Sequence, residues 1–204
     1  MKGLFITFEG IDGSGKSTQA TLLKNRLSQM HYPVVFTKEP GGTALGGKIR
    51  KILLNEDMNP VSEFLLFASD RREHIEKVIR PSLLNGKIVI SDRFTDSSLV
   101  YQGFGRGVSL NFIRQVHQYI LKGLKPDLTF IIDVPPEVGI ERIHKKDRIE
   151  REGIDFLRRI RKGYIEISES DERFVIVNGT GTPEKLNDFI WKVTLRRLRN
   201  GQER

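Results

Sequence analysis

The chain has 204 residues, 38% apolar and 29% charged, a balance that predicts one soluble globular domain with a sizeable core. No apolar run approaches the roughly 20 residues of a membrane span, and the absence of cysteine excludes a disulfide framework and a thiolate metal centre. The net charge of +8 points to anionic partners; half of it sits between Glu141 and Gly163, where nine basic residues face five acidic ones.

LFITF (4–8) reads as a first strand, and Ala20, Leu23, Leu27 and Met30 then recur at helical spacing, predicting a helix over 17–30. PVVFTKE (33–39) is a second strand, and Gly41, Gly42, Gly46 and Gly47 mark a loop around a short helix start. After Pro60, the residues Phe64, Phe67, Ala68, Ile75 and Val78 share one helical face, with Pro81 expected to end that helix. KIVISD (87–92) is a third strand, followed by a helix over 95–102 that the Gly-rich GFGRG should break. Phe112, Val116 and Ile120 mark another helix, with Gly123 as its cap. DLTFIID (127–133) is a fourth strand, and two charged helical segments surround Gly153. FVIVNG (174–179) is a fifth strand, and Thr182 caps a last helix that has Pro183 at its first position. The alternation predicts an α/β fold: one domain built on a five-stranded parallel sheet with helices on both faces. The strands are continuously apolar and β-branched, as burial on both faces requires. Ligands bind such sheets beyond the carboxyl ends of the strands.

The chemistry gathers at those ends. Gly10, Gly15, Lys16 and Ser17 fit G-x-x-x-x-G-K-[ST] between a strand and a helix. Glycines let successive N–H groups turn toward phosphate, and the helix N-terminus adds positive potential. Lys16 is placed to reach the terminal phosphates of a nucleoside triphosphate, and the Ser17 hydroxyl to ligate Mg²⁺. Asp92 and Asp133 end the third and fourth strands, and either suits the metal; a helix cap is the plainer role for each. No N-K-x-D segment of a guanine switch is present, and the chain is short for a motor.

Phosphoryl transfer needs cations around the moving group. Arg50, Arg71 and Arg93 lie near the strand ends and Gly-rich turns. Arg142, Lys145, Lys146, Arg148 and Arg151 occupy a segment suited to a mobile lid over about 142–155. Phe67 and Arg71 are four apart on one face, and an inward arginine beside a ring suits a flat base as well as it suits a buried ion pair. Ser98, Tyr101 and Gln102, spaced i, i+3, i+4, put three polar tips on one face, as a base edge or an ordinary polar surface would.

FEGIDGSGKSTQ (8–19), EPGGT (39–43), LLFASDR (65–71), SDRFTDSSLVYQG (91–103), KPDLTFIIDVPPE (125–137) and DFLRRIRKGY (155–164) together resemble the bacterial thymidylate kinase family over roughly 4–191. The resemblance implies a three-layer P-loop fold, transfer of a phosphoryl group from ATP to dTMP with Mg²⁺, and a homodimer. The composition makes the cytoplasm the default location, and the lack of RNP-type, helix-turn-helix and membrane-spanning patterns predicts no nucleic-acid or membrane partner. The resemblance also implies that Gly10, Gly13, Ser14, Gly15, Lys16, Ser17 and Thr18 hold ATP, with Arg142 beside it. Asp12 would touch both substrates, close to the acceptor sugar. Ser17, Asp92 and Glu39 would serve the metal. Arg93 would take the acceptor phosphate and Arg50 would approach the acceptor, Phe67 would stack on thymine, and Arg71, Ser98 and Gln102 would read it. Tyr101 would pack against the deoxyribose. Lys16, Arg93, Arg148 and Arg151 would be the catalytic cations, with Arg148 foremost in the lid. Lys38 stands where the family commonly has Arg, and Phe94 where it often has Tyr. A kinase of another monophosphate or of a nucleoside, and an ATP-binding regulator without catalysis, are the alternatives. The presence of Lys16, Ser17, Asp92 and Arg93 argues against the second.

Overall fold

The computed structural model describes residues 3–143 and 152–202. Five strands, β1 (Leu4–Glu9), β2 (Val34–Lys38), β3 (Ile88–Asp92), β4 (Leu128–Asp133) and β5 (Phe174–Asn178), form one sheet in the order β2-β3-β1-β4-β5. Every pairing is parallel, and Asp92 lies in register with both Phe8 and Lys38. Strand β1 sits at the centre, where the connections leave in opposite directions. The crevice beyond its carboxyl end is therefore the place for a ligand.

Side chains alternate across β1. Ile6 and Phe8 pack with Leu23 and Leu27 of α1 (Lys16–Gln29) and Leu186 and Ile190 of α9 (Pro183–Gln202) on one face. Phe5 packs on the other face with Ile75, Ile79, Val89 and Phe94. Thr7 points to that second face and shares a 2.8 Å hydrogen bond with Thr129. The cores thus lie between a central sheet and two helical layers, as the apolar strands predict. Thr182 caps α9 through its carbonyl, which accepts from the Leu186 N–H at 3.1 Å.

Three expectations are corrected. Gly46 and Gly47 do not sit in a loop but inside α2 (Ala44–Asn55), capped by Thr43, whose hydroxyl accepts from the Gly46 N–H at 2.9 Å. A Cβ at Gly46 would collide with the Asp70 carboxylate, so this glycine marks a close approach of α2 to α3 (Pro60–His74). Pro81 does not end its helix. A π-helical turn over Ile75–Ile79 runs straight into α4 (Arg80–Leu84). Pro81 falls just past the wide turn, whose shifted hydrogen-bond register accommodates a residue without an N–H. Past α5 (Thr95–Ser98) the chain enters a second π-helical stretch, Leu99–Gly105, so the break comes after the first three residues of GFGRG. Such wide turns often occur at functional sites.

The helices α6 (Leu110–Leu121), α7 (Pro136–Glu141) and α8 (Ile154–Ser168) complete the fold. Helix α8 is the charged segment expected after Gly153. Most of the expected lid, with Lys145, Lys146, Arg148 and Arg151, lies outside the described residues.

Candidate active site

The phosphate loop joins β1 to α1. Gly10, Gly13 and Gly15 all have positive φ (143°, 76° and 93°), which turns the intervening N–H groups toward one centre. Gly13 also lies against the backbone of Gly139 in α7, where no Cβ would fit. Lys16 Nζ donates to Asp12 Oδ1 at 3.3 Å and to the Ile11 carbonyl at 3.4 Å. The Ser17 hydroxyl donates to Asp92 Oδ2, while the buried Asp92 Oδ1 has no hydrogen-bond partner among the described residues. Asp133, the other strand-end acid, is committed to a bidentate pair with Arg161 at 2.7 and 2.8 Å. Of the two, Asp92 is the one that meets the loop. A hydroxyl beside a spare carboxylate oxygen fits a hard cation that keeps water and phosphate oxygens as its other ligands.

Beyond the loop lies a cleft. Asp12, Glu39, Arg50, Phe67, Arg93, Ser98, Tyr101 and Gln102 all line it, together with Pro40, Leu54 and Ser97. Arg71 stands just behind, fully enclosed. Its Nε–H donates to Glu39 Oε2 at 2.7 Å, Nη1 to the Ser98 hydroxyl at 3.0 Å and Nη2 to the Phe94 carbonyl at 2.9 Å. Nη1 also meets His117 Nε2 at 3.0 Å. Burial, then the Arg71 charge, drive the His117 pKa down to about 2, so that ring nitrogen is an acceptor. Glu39 has both oxygens engaged, the second with His74 Nδ1 at 2.9 Å. Arg50 Nη1 donates to the Pro40 carbonyl at 3.1 Å and ties α2 to the EPGGT loop.

Arg93 is the hub. It follows β3 at φ 73°, a left-handed conformation that is costly for a long side chain. Two flanking bonds hold the turn: the Arg93 N–H donates to the Phe8 carbonyl at 2.9 Å, and the Phe94 N–H to Glu9 Oε1 at 2.7 Å. The guanidinium pairs with Asp12 and donates to the hydroxyls of Ser97 at 3.1 Å and Tyr101 at 3.2 Å. The Tyr101 hydroxyl donates to the other Asp12 oxygen at 2.9 Å. Burial alone would raise the Asp12 pKa, but Arg93 and Lys16 outweigh it and hold the carboxyl well below its usual range. Asp12 is therefore an anion fixed between two cations.

Glu9 is the main residue the sequence reading passed over. It is fully buried, accepts from Ser97 at 2.6 Å and from Tyr164 of α8 at 2.9 Å, and its pKa is pushed up to about 7, by burial first and then by Asp96. Its place at the last position of β1, inside an otherwise apolar strand, is the signal that marks it. Arg142 donates to the Gly179 carbonyl at 3.3 Å, at the carboxyl ends of β4 and β5.

A parallel sheet with this loop at its switch point, opening onto a cationic cleft, defines a P-loop nucleotide phosphotransferase. Residues 8–190 match the family model described as Thymidylate kinase. The chain is 44% identical to thymidylate kinase of Halothermothrix orenii, covering 94% of this chain and 96% of the relative. It is 46% identical to that of Synechococcus sp. (strain JA-2-3B'a(2-13)), covering 96% of each. A crystal structure of thymidylate kinase from Ehrlichia chaffeensis superposes with a TM-score of 0.80 at 38% identity, over 95% of this chain and 99% of that one. The chain belongs to the thymidylate kinase family: it is a kinase that phosphorylates dTMP, with ATP as donor, in dTTP synthesis.

Proposed function

We propose that the two sides of the phosphate loop divide the substrates. Gly10, Gly13, Ser14, Gly15, Lys16, Ser17 and Thr18 take the ATP phosphates, with Arg142 toward the nucleoside. Arg93 and Arg50 take the dTMP phosphate, and Asp12 lies under its sugar with Tyr101. Phe67 stacks on thymine, and Arg71, Ser98 and Gln102 serve its polar edge. A dTMP phosphate oxygen attacks the γ-phosphorus in line, and the bond to the β-phosphate oxygen breaks to release ADP. The attacking group is already anionic, so no side-chain base is required. Catalysis consists of placement and charge neutralisation.

The observation that carries this reading is Asp12, which pairs with Lys16 on the donor side and with Arg93 on the acceptor side. Ser17 and Asp92 would hold Mg²⁺, which supplies charge neutralisation between donor phosphates; Glu39, its oxygens taken by Arg71 and His74, would act from one shell further out. Arg148, followed by Arg151, would bring the remaining cation to the γ-phosphate. The active form is a cytoplasmic homodimer that handles mononucleotides, not nucleic acid. Among the described residues no helix is long and apolar enough to cross a membrane.

Turnover measured across dTMP, dUMP, dCMP, dGMP and AMP, with wild type and Arg148→Ala side by side, tests this reading. It expects dTMP to be turned over best and kcat in the variant to fall by about two orders of magnitude. Faster turnover of a purine monophosphate would overturn the division of the cleft. A near-normal kcat would move the lid role to Arg151 or Arg142.

A further inference from the structure

The base end of the cleft rests on a buried charge that the transfer chemistry does not use. Glu63, on α3, is 0% exposed. Its Oε1 accepts from Arg106 Nε at 2.8 Å and from Gln102 Nε2 at 2.8 Å. Arg106 is itself anchored by Glu152, at 2.8 Å.

A guanidinium has only donors, so the Glu63 oxygen that receives Arg106 is an acceptor. Gln102 satisfies that oxygen only with its NH2 end. The reverse orientation would set two acceptors against each other in a dry site, which is costly. The Gln102 side chain also lines the cleft, and with its NH2 tied to Glu63 the acceptor it offers a ligand there is its carbonyl oxygen. One turn earlier, Ser98 receives an Arg71 N–H on its oxygen, which leaves its own O–H to donate. The face therefore offers a donor and then an acceptor. A ring carbonyl followed by a ring N–H, the imide edge of thymine and uracil, complements that order. Cytosine presents the opposite order, an amino donor followed by a bare ring nitrogen.

We propose that Glu63, anchored by Arg106, is a positioning residue that fixes the Gln102 amide with its oxygen toward the base and so makes the cleft select an imide over cytosine. This rests on Gln102 facing the base, as proposed above. A buried partner left unsatisfied by the wrong ligand is the strongest source of such discrimination.

The test is kcat/KM for dTMP, dUMP and dCMP in Glu63→Met, Glu63→Gln and Gln102→Leu. Glu63→Met removes the acceptor and frees the amide to turn. The ratio of dCMP to dTMP should rise about tenfold, while the ratio of dUMP to dTMP stays put because both bases carry the same edge. Glu63→Gln keeps an oxygen for Arg106 and Gln102 and should restore the wild-type ratio. An equal fall for all three substrates in Glu63→Met would mean a structural role only and overturns the proposal. An unchanged dCMP to dTMP ratio in Gln102→Leu would instead overturn the reading that Gln102 faces the base. Should Glu63→Met not fold, the wild type still decides. The Gln102 N–H proton that is bonded to Glu63 should be protected from exchange and keep its NMR shift when dTMP binds. A large shift on binding would place the NH2 end against the base and end the proposal.

Discussion

Glu9 shows how a single buried carboxyl is tied to the turn that aims Arg93. It caps the Phe94 N–H and gathers Ser97 and Tyr164 around the left-handed Arg93. Its pKa rises from an ordinary 4.5 to about 7 on folding. Below the unfolded value the group is protonated in both states and burial costs little. Above about 7 it is ionised in both and the full cost is present. Wild type should therefore lose stability relative to Glu9→Gln as pH climbs from about 4.5 to 7, by about 3 kcal/mol. Urea unfolding of both proteins at pH 5 and pH 8 measures this. Parallel pH dependences would show that Glu9 keeps its charge cheaply. The amide keeps an acceptor for Phe94, so the turn itself should survive the substitution.

At the scale of elements, the strands were the most legible feature. Each is a short apolar β-branched run bounded by turn residues, and each lies within one residue of where its pattern places it. The helices were read less well, for physical reasons. Gly46 looks like a loop residue because glycine is costly in a helix, yet α2 needs it to pass the Asp70 carboxylate. Pro81 looks like a terminator, but the π-helical turn before it shifts the hydrogen-bond register and the helix runs on to Leu84. In the cleft, the phosphate loop, Phe67 and the Ser98–Tyr101–Gln102 face announced themselves through spacing. Their supports did not: Glu63, His117 and Tyr164 bond Gln102, Arg71 and Glu9 from distant positions, and nothing local in the chain marks a residue whose partner lies 39, 46 or 155 positions away.

For the whole molecule, two adjoining helices carry apolar faces that the described residues leave uncovered. Leu45 and Ile52 lie seven apart on α2, Val61 and Leu65 four apart on α3, and all four are between 41% and 47% exposed. A second copy of the chain is the occupant we propose for that face, because uncovered aliphatic stripes on neighbouring helices are uncommon on a monomer. Sedimentation should give twice the 23.4 kDa chain mass, and Leu65→Glu should return it to one; a single-chain mass for the wild type would refute the assignment. The same helices carry Arg50, Glu63, Phe67 and Arg71, so the dimer face would back directly onto the acceptor site. In the proposed mechanism one loop serves two substrates. A crystal structure with dTMP and a non-hydrolysable ATP analogue tests it most directly. The dTMP phosphate should lie on Arg93, its sugar over Asp12, and the ATP phosphates on the Gly13–Ser17 N–H groups and Lys16. A dTMP phosphate bound to those N–H groups, with Arg93 still on Asp12 alone, would contradict it.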